Sequence, residues 1–144
     1  MKVDVAMTRE VRLVKPDQTI REAAQLMGEI DAGAIPVTEN DRLVGMITDR
    51  DIAVRAVAQG KSPDTRIRDV MSTGILYCFD DQELDEVARN MGKNQVRRLP
   101  VINKDKRLVG ILALGALASN EDNAVGRTVS QVSEHGGKHS QTAH

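Results

Sequence analysis

Aromatic residues are nearly missing from this chain of 144 residues: Tyr77 and Phe79 are the only two, and tryptophan is absent. The core must therefore be aliphatic, built from Val, Ile, Leu and Ala, with six Met to fill irregular gaps. Base-stacking platforms are lacking, and a formal net charge of -1 gives no general attraction to phosphate backbones. Nucleic acid is thus not an expected partner, despite the cations Arg97, Arg98, Lys104, Lys106 and Arg107. Cys78 is the only cysteine, which excludes an internal disulfide or a zinc cluster. It sits in the stretch 75–79, which reads as a buried strand, so it is a small hydrophobe rather than a nucleophile. His135, His139 and His144 are the only histidines. The first 120 residues therefore hold no histidine, no cysteine dyad and no phosphate-cradling Gly-x-x-x-x-Gly-Lys loop, and neither an enzyme nor a metal site is expected. No apolar run approaches the roughly 20 residues that span a bilayer, and Met1 to Arg9 lacks a signal peptide's apolar centre. A cytoplasmic location without membrane contact is expected.

What the chain does have is a repeat. At an offset of 64 residues, Asp17, Gln18, Glu22, Ala24, Met27, Gly28, Pro36 and Val37 return as Asp81, Gln82, Glu86, Ala88, Met91, Gly92, Pro100 and Val101. One inserted residue shifts the offset to 65, so that 42–45 (Arg-Leu-Val-Gly) matches 107–110. A fixed internal period is read before any single motif, because it decides the architecture.

Each copy has the same local order. Residues 11–15 suggest a short strand that stops at Pro16. Thr19 followed by Glu22 is a capping-box pattern, and Ile20, Ala23, Ala24, Met27 and Ile30 fall on one helical face. The second copy repeats the stripe as Leu84, Val87, Ala88 and Met91 with a weaker cap. Apolar runs at 34–37 and 43–47 flank a polar turn, as do 99–102 and 108–112, and each pair reads as a hairpin. Pro36, without an amide donor, must sit at an edge or interrupt the pairing. A second helix opens at Thr48 and ends at Gly60; its counterpart is expected over 114–118. The expected fold is α/β (α+β), two β-α-β-β-α repeats over 1–60 and 67–120 joined by a linker at 61–66. Residues 121–144 form a polar tail with at most one short helix around Val125, Val129 and Val132.

The site-bearing stretch is 45–51, a strand leaving Gly45 and turning into a helix at Thr48. Free amides at a helix start favour an anion, and Thr48 adds a hydroxyl beside them. Asp51 could accept from the two hydroxyls of a ribose, with Arg50 supplying positive charge. The same spacing is also a plain N-cap, Thr48 with an acidic residue three on. Both readings stay open on spacing alone.

Taken together, these motifs resemble the tandem cystathionine-β-synthase (CBS) domain pair, or Bateman module. The resemblance rests on a helix with Met near its end, then Ile35-Pro36-Val37 or Leu99-Pro100-Val101, then Leu-Val-Gly and Thr48-x-x-Asp51. The openings Val5 to Thr8 and Val70 to Ser72 match as well, so it covers about residues 3–120. It implies pseudo-two-fold packing and sensing of an adenosine nucleotide (AMP, ADP or ATP, with NAD or S-adenosylmethionine as variants) in the cleft between repeats. It further implies that Thr48 contacts phosphate and Asp51 the ribose. Lys15 with Pro16, and Ala34, Ile35 and Pro36, would hold adenine, while Arg97 and Arg98 reach phosphates or, equally, stand as a solvated edge pair. A homodimer pairing through the helix 52–57 and a regulated protein partner are also implied.

The second repeat departs from that pattern: Ala113 and Ala116 stand where Thr48 and Asp51 would. Losing a hydrogen bond to a charged group costs about 1.5–3 kcal/mol, roughly ten- to a hundred-fold in affinity. One competent nucleotide site per chain is expected. The competing expectation is a dimeric interaction module that binds no nucleotide.

Overall fold

The computed structural model describes residues 1–113. In chain order the elements are α1 (Val3–Ala6), α2 (Ile20–Ile30), β1 (Ala34–Glu39), β2 (Arg42–Thr48), a π-helix at Asp51–Ala56 and 3-10 turns at Val57–Gln59 and Ile67–Asp69. Then follow β3 (Cys78–Phe79), α3 (Leu84–Asn94), β4 (Arg98–Ile102) and β5 (Leu108–Ala113). This is an α+β fold. The helix expected over 114–118, the polar tail and Ala116 lie outside the described residues. The described residues form two compact units, one of residues 12–75 and one of residues 1–11 with 76–113.

In the unit 12–75, α2 starts where Thr19 and Glu22 cap each other: Thr19 Oγ1 accepts from the Glu22 amide at 3.2 Å, and Glu22 Oε1 accepts from the Thr19 amide at 3.4 Å. This satisfies two donors that a helix start otherwise leaves unpaired. Ile20, Ala23 and Met27 point inward, and Asp31 ends the helix in the left-handed region at φ 54°. β1 and β2 form an antiparallel hairpin whose two-residue turn, Asn40 and Asp41, has φ of 55° and 66°. Two successive positive φ values match the twist of the strands, which suits Asn and Asp. Ile35, Val37 and Ile47 are fully buried, each contributing about 1.5–3 kcal/mol by leaving water.

The expected strand over 11–15 shrinks to a single parallel bridge, Val14 to Val37. The Val14 amide donates to Pro36 O and the Thr38 amide to Val14 O. Extending this ladder backwards would need a donor from the nitrogen of Pro36, which has none. The proline stops the strand. The residues after Gly60 are no loose linker either: Pro63 O and Thr65 O accept from the Arg21 and Ile20 amides, and Arg68 pairs with Asp17.

The other unit repeats the plan. α3 buries Leu84, Val87, Ala88 and Met91, has no side-chain cap at Glu83, and ends on Gln95 at φ 56°. β4 and β5 pair antiparallel, with a bulge between Val101 and Ile102 where β1 has one between Val37 and Thr38. The inserted residue lies in the turn, where Asn103 Oδ1 accepts from the Asp105 and Arg107 amides and Lys106 takes φ 64°. The strand expected over 75–79 reduces to Cys78–Phe79, parallel to Val101 and Ile102. Pro100 stops this ladder as Pro36 stops the other, and Tyr77 is left 49% exposed rather than buried.

The opening segments are exchanged relative to the sequence repeats. Met46 exchanges backbone hydrogen bonds with Ser72, from the start of the second repeat; Ile111 does so with Thr8, from the start of the first. Gly45 and Gly110 make room for them. A Cβ on Gly45 would meet Ser72 O at 2.7 Å, and one on Gly110 would meet Met7 Sδ at 2.6 Å and Thr8 O at 2.9 Å. That close approach is the physical content of the repeated Leu-Val-Gly.

Candidate functional site

The open end of the β1–β2 hairpin carries the candidate residues. Ala34 pairs with Thr48 and Ile35 with Ile47 across the ladder, and the Asp49 amide donates to Gly33 O at 2.9 Å. The chain then turns into the helix, so Thr48 and Asp51 face each other. The Asp51 amide donates to Thr48 Oγ1 at 2.9 Å, and the Thr48 amide donates to Asp51 Oδ2 at 3.1 Å. This is a reciprocal cap. The expectation of free amides for an anion is not met: those of Asp49, Arg50 and Asp51 go to Gly33 O, Asp49 Oδ1 and Thr48 Oγ1.

Asp51 does more than cap. It is only 4% exposed, and its carboxylate also accepts from Ser72 Oγ, at 3.2 Å to Oδ1 and 3.3 Å to Oδ2. Arg55 Nε stands 3.7 Å from Oδ1, while its Nη1 donates to Met71 O at 3.2 Å. Burying a carboxylate is costly unless it is hydrogen-bonded and charge-paired, and here it is both. The π-helix starts at Asp51; such wide turns are rare and concentrate at functional sites. Ser72 was missed by sequence reasoning, because a partner 21 residues away leaves no local signal.

The other expected residues divide. Ala34, Ile35 and Pro36 are buried along the same hairpin. Arg50 is exposed beside the cap. Lys15 and Pro16 bond elsewhere than to the Thr48 and Asp51 cap: the Lys15 amide donates to Gln18 Oε1 at 2.8 Å. They follow Val14, whose single parallel bridge is to Val37. Pro16 O instead accepts from the Arg68 amide. Leu13 precedes the Val14 amide that donates to Pro36 O, and it is exposed. Arg97 and Arg98 belong to the other unit, where Arg97 is exposed and Arg98 pairs with Ala113 at the open end of β4–β5. Among the described residues no group of His, Cys, Asp or Glu is placed to hold a metal ion, and no helix is long and apolar enough to cross a membrane.

The family model described as "CBS domain" matches twice, over residues 2–57 and 67–121. The chain belongs to the CBS domain family. It is 47% identical over 115 residues to the CBS domain-containing protein YhcV of Bacillus subtilis (strain 168), covering 80% of this chain and 81% of that one. The structure of CBSX2 in complex with AMP superposes with a TM-score of 0.70 at 26% identity, over 92% of this chain and 98% of that one. The CBS domain pair of MJ0100, in complex with 5'-methylthioadenosine and S-adenosyl-L-methionine, gives 0.71 at 26%, over 83% and 94%.

The second CBS repeat has Ala113 at the end of β5 where the first has Thr48, and an alanine offers no hydroxyl. Its unit has instead a groove of about 200 Å³, lined among others by Tyr77, Cys78, Asn90, Met91, Asn94 and Leu99. In the first repeat the positions of Asn90 and Asn94 are Leu26 and Ile30, which pack against the core. Polar side chains in their place leave the groove open. Cys78 lies at its floor, and burial, helped by Asp80, pushes its thiol up to about 12.

Proposed function

We propose that the chain is a regulatory binding module whose first CBS repeat takes an adenosine nucleotide: AMP, ADP, ATP or NAD. The observation that carries this is the hub at Thr48 and Asp51, a buried carboxylate and hydroxyl at the open end of one hairpin with no equivalent hydroxyl at Ala113. Asp51 accepts from the ribose diol, Thr48 contacts phosphate, and Ala34, Ile35 and Pro36 with Leu13 offer an apolar wall to adenine. Arg50, exposed beside the cap, adds charge for the phosphates. The ligands named for the two similar structures, AMP, methylthioadenosine and S-adenosylmethionine, differ in charge and share adenosine. That supports recognition centred on the nucleoside.

The module is a homodimer in this reading, through the helix after Asp51, where Val54 and Val57 are 45% and 69% exposed. Nucleotide acts by its different affinity for two states of the dimer, and the consequence is read by a protein partner rather than by chemistry on the ligand. A second reading has one observation in its favour: Asp51 at 4% exposure is already satisfied, as in a structural cap. The chain would then be a dimeric interaction module without a nucleotide.

Titration calorimetry of the full chain with each nucleotide separates the two. One site per chain is expected, with Asp51→Ala abolishing ligand-induced thermal stabilisation. Two equivalent sites, or undiminished binding by Asp51→Ala, would count against the first reading. Arg50→Ala should weaken AMP and leave adenosine unaffected.

A further inference from the structure

Resting on that nucleotide reading, we infer that Ser72 is a built-in competitor for the ribose. Its hydroxyl occupies the Asp51 carboxylate in the ligand-free protein and must leave before a sugar can bind. A carboxylate that is 4% exposed cannot receive two ribose hydroxyls unless something covering it moves. Its bonds to the Thr48 amide and to Arg55 come from groups on its own helix start. Ser72 alone arrives from a distant segment, offers the same chemistry as a sugar hydroxyl, and sits at 3.2–3.3 Å on both oxygens. Such a long, divided hydrogen bond is near the weak end of the range and is replaceable by shorter ones. The side chain can rotate away without dismantling its segment, which is held separately. Ser72 N donates to Met46 O at 2.8 Å, Met46 N donates to Ser72 O at 2.9 Å, and Arg55 holds Met71 O.

The gate also gives the site an output. Ser72 stands four residues before Leu76, where the chain enters the other compact unit. Exchange of its hydroxyl for a ribose changes the restraint on the covalent connection. The first repeat's opening has Thr8 at the corresponding place, and it lies on Ile111 of β5, a strand with Ala113 where β2 has Thr48.

The test is AMP and ATP binding by calorimetry to wild type, Ser72→Ala and Ser72→Thr, each also with the 2'-deoxy nucleotide. Removing a competitor raises affinity, so Ser72→Ala should bind about three- to ten-fold tighter. Ser72→Thr, which keeps a hydroxyl on the same backbone, should bind like wild type. Because the serine does not touch bound ligand, the ratio of affinities for ribo- and deoxyribonucleotide should be the same in all three. Binding by Ser72→Ala alone would also support the gate, as a site the hydroxyl closes. Wild-type binding that Ser72→Ala leaves equal or weakens, or an altered ribo-to-deoxy ratio, would overturn the gate and leave the nucleotide reading standing. Binding by none of the three would overturn both.

Discussion

The hairpins β1–β2 and β4–β5 have the same bulge position, the same proline opposite the same strand position, and a glycine at 45 or 110 under an exchanged segment. At their open ends they part. One runs into Thr48 and a buried Asp51, the other ends on Ala113 with Arg97 and Arg98 leading into it. The frame is duplicated and the chemistry is not. Packing constraints act on both copies equally, whereas one well-formed site is enough for one ligand. The comparison breaks first at the glycines. Gly45→Ala drives a Cβ to 2.7 Å from the carbonyl of Ser72; at Gly110 the first obstacle is the flexible end of Met7, with Thr8 O at 2.9 Å behind it. Both should destabilise by about 1–3 kcal/mol in urea unfolding, Gly45→Ala more, and Gly45→Ala alone should also lose nucleotide binding. A Gly45→Ala chain as stable as wild type would remove the argument that the exchanged segment is tightly seated.

Thr48→Ala gives the first hairpin the residue of the second. It deletes the acceptor for the Asp51 amide and leaves the carboxylate one organising contact short. A stability loss of about 1–2 kcal/mol is expected, with weakened nucleotide affinity, and Thr48→Ser should restore both. Nucleotide affinity that survives the alanine would place the hydroxyl in the frame alone.

How much of this could be read from the chain depends on how local the cause is. The capping box of Thr19 and Glu22, the stripes of α2 and α3, and both hairpins follow from contacts three to fifteen residues apart, and they stand as expected. Pro36 was legible as an interruption, but not that it cuts a parallel ladder and leaves only Val14 paired. That Val14 would pair in parallel with Val37 was not legible either, because chain order does not reveal parallel register. The π-turns after Asp51 were hidden, since the side-chain stripe of a short helix hardly distinguishes a bond four residues back from one five back. The exchange of the opening segments and the role of Ser72 depend on pairings across 21 to 103 residues, where no periodicity helps.

A smaller effect is expected from filling the groove of the second unit. Asn90→Leu with Asn94→Ile copies the first repeat, where Leu26 and Ile30 pack against the core. The gain from apolar burial is offset by the lost bond from Asn94 Nδ2 to Asn90 O at 2.9 Å. A net stabilisation of about 1 kcal/mol should remain, read as a shift in the urea midpoint without a change of slope. Destabilisation would mean the groove's shape is set by something other than those two side chains.

The smallest difference is one sulfur atom. Cys78 and Val14 hold matched places on parallel bridges to Val101 and Val37, and both are buried. The thiol is raised from 9.0 to about 12 in the folded chain, so the native state keeps a proton that the unfolded state releases. The unfolded chain therefore binds fewer protons above pH 9, and stability must fall as pH rises from about 9 toward 12, by at most about 1.4 kcal/mol per pH unit. The quantity to read is the difference between wild type and Cys78→Val, in which the contributions of all other groups cancel. The valine variant should have nearly the same stability at pH 7 and a shallower decline above pH 9. At pH 8 iodoacetamide should leave native Cys78 unmodified and alkylate it only as urea unfolds the chain. Native labelling at the rate of an exposed cysteine, or parallel pH profiles for the two proteins, would show that the position is not sealed as Val14 is.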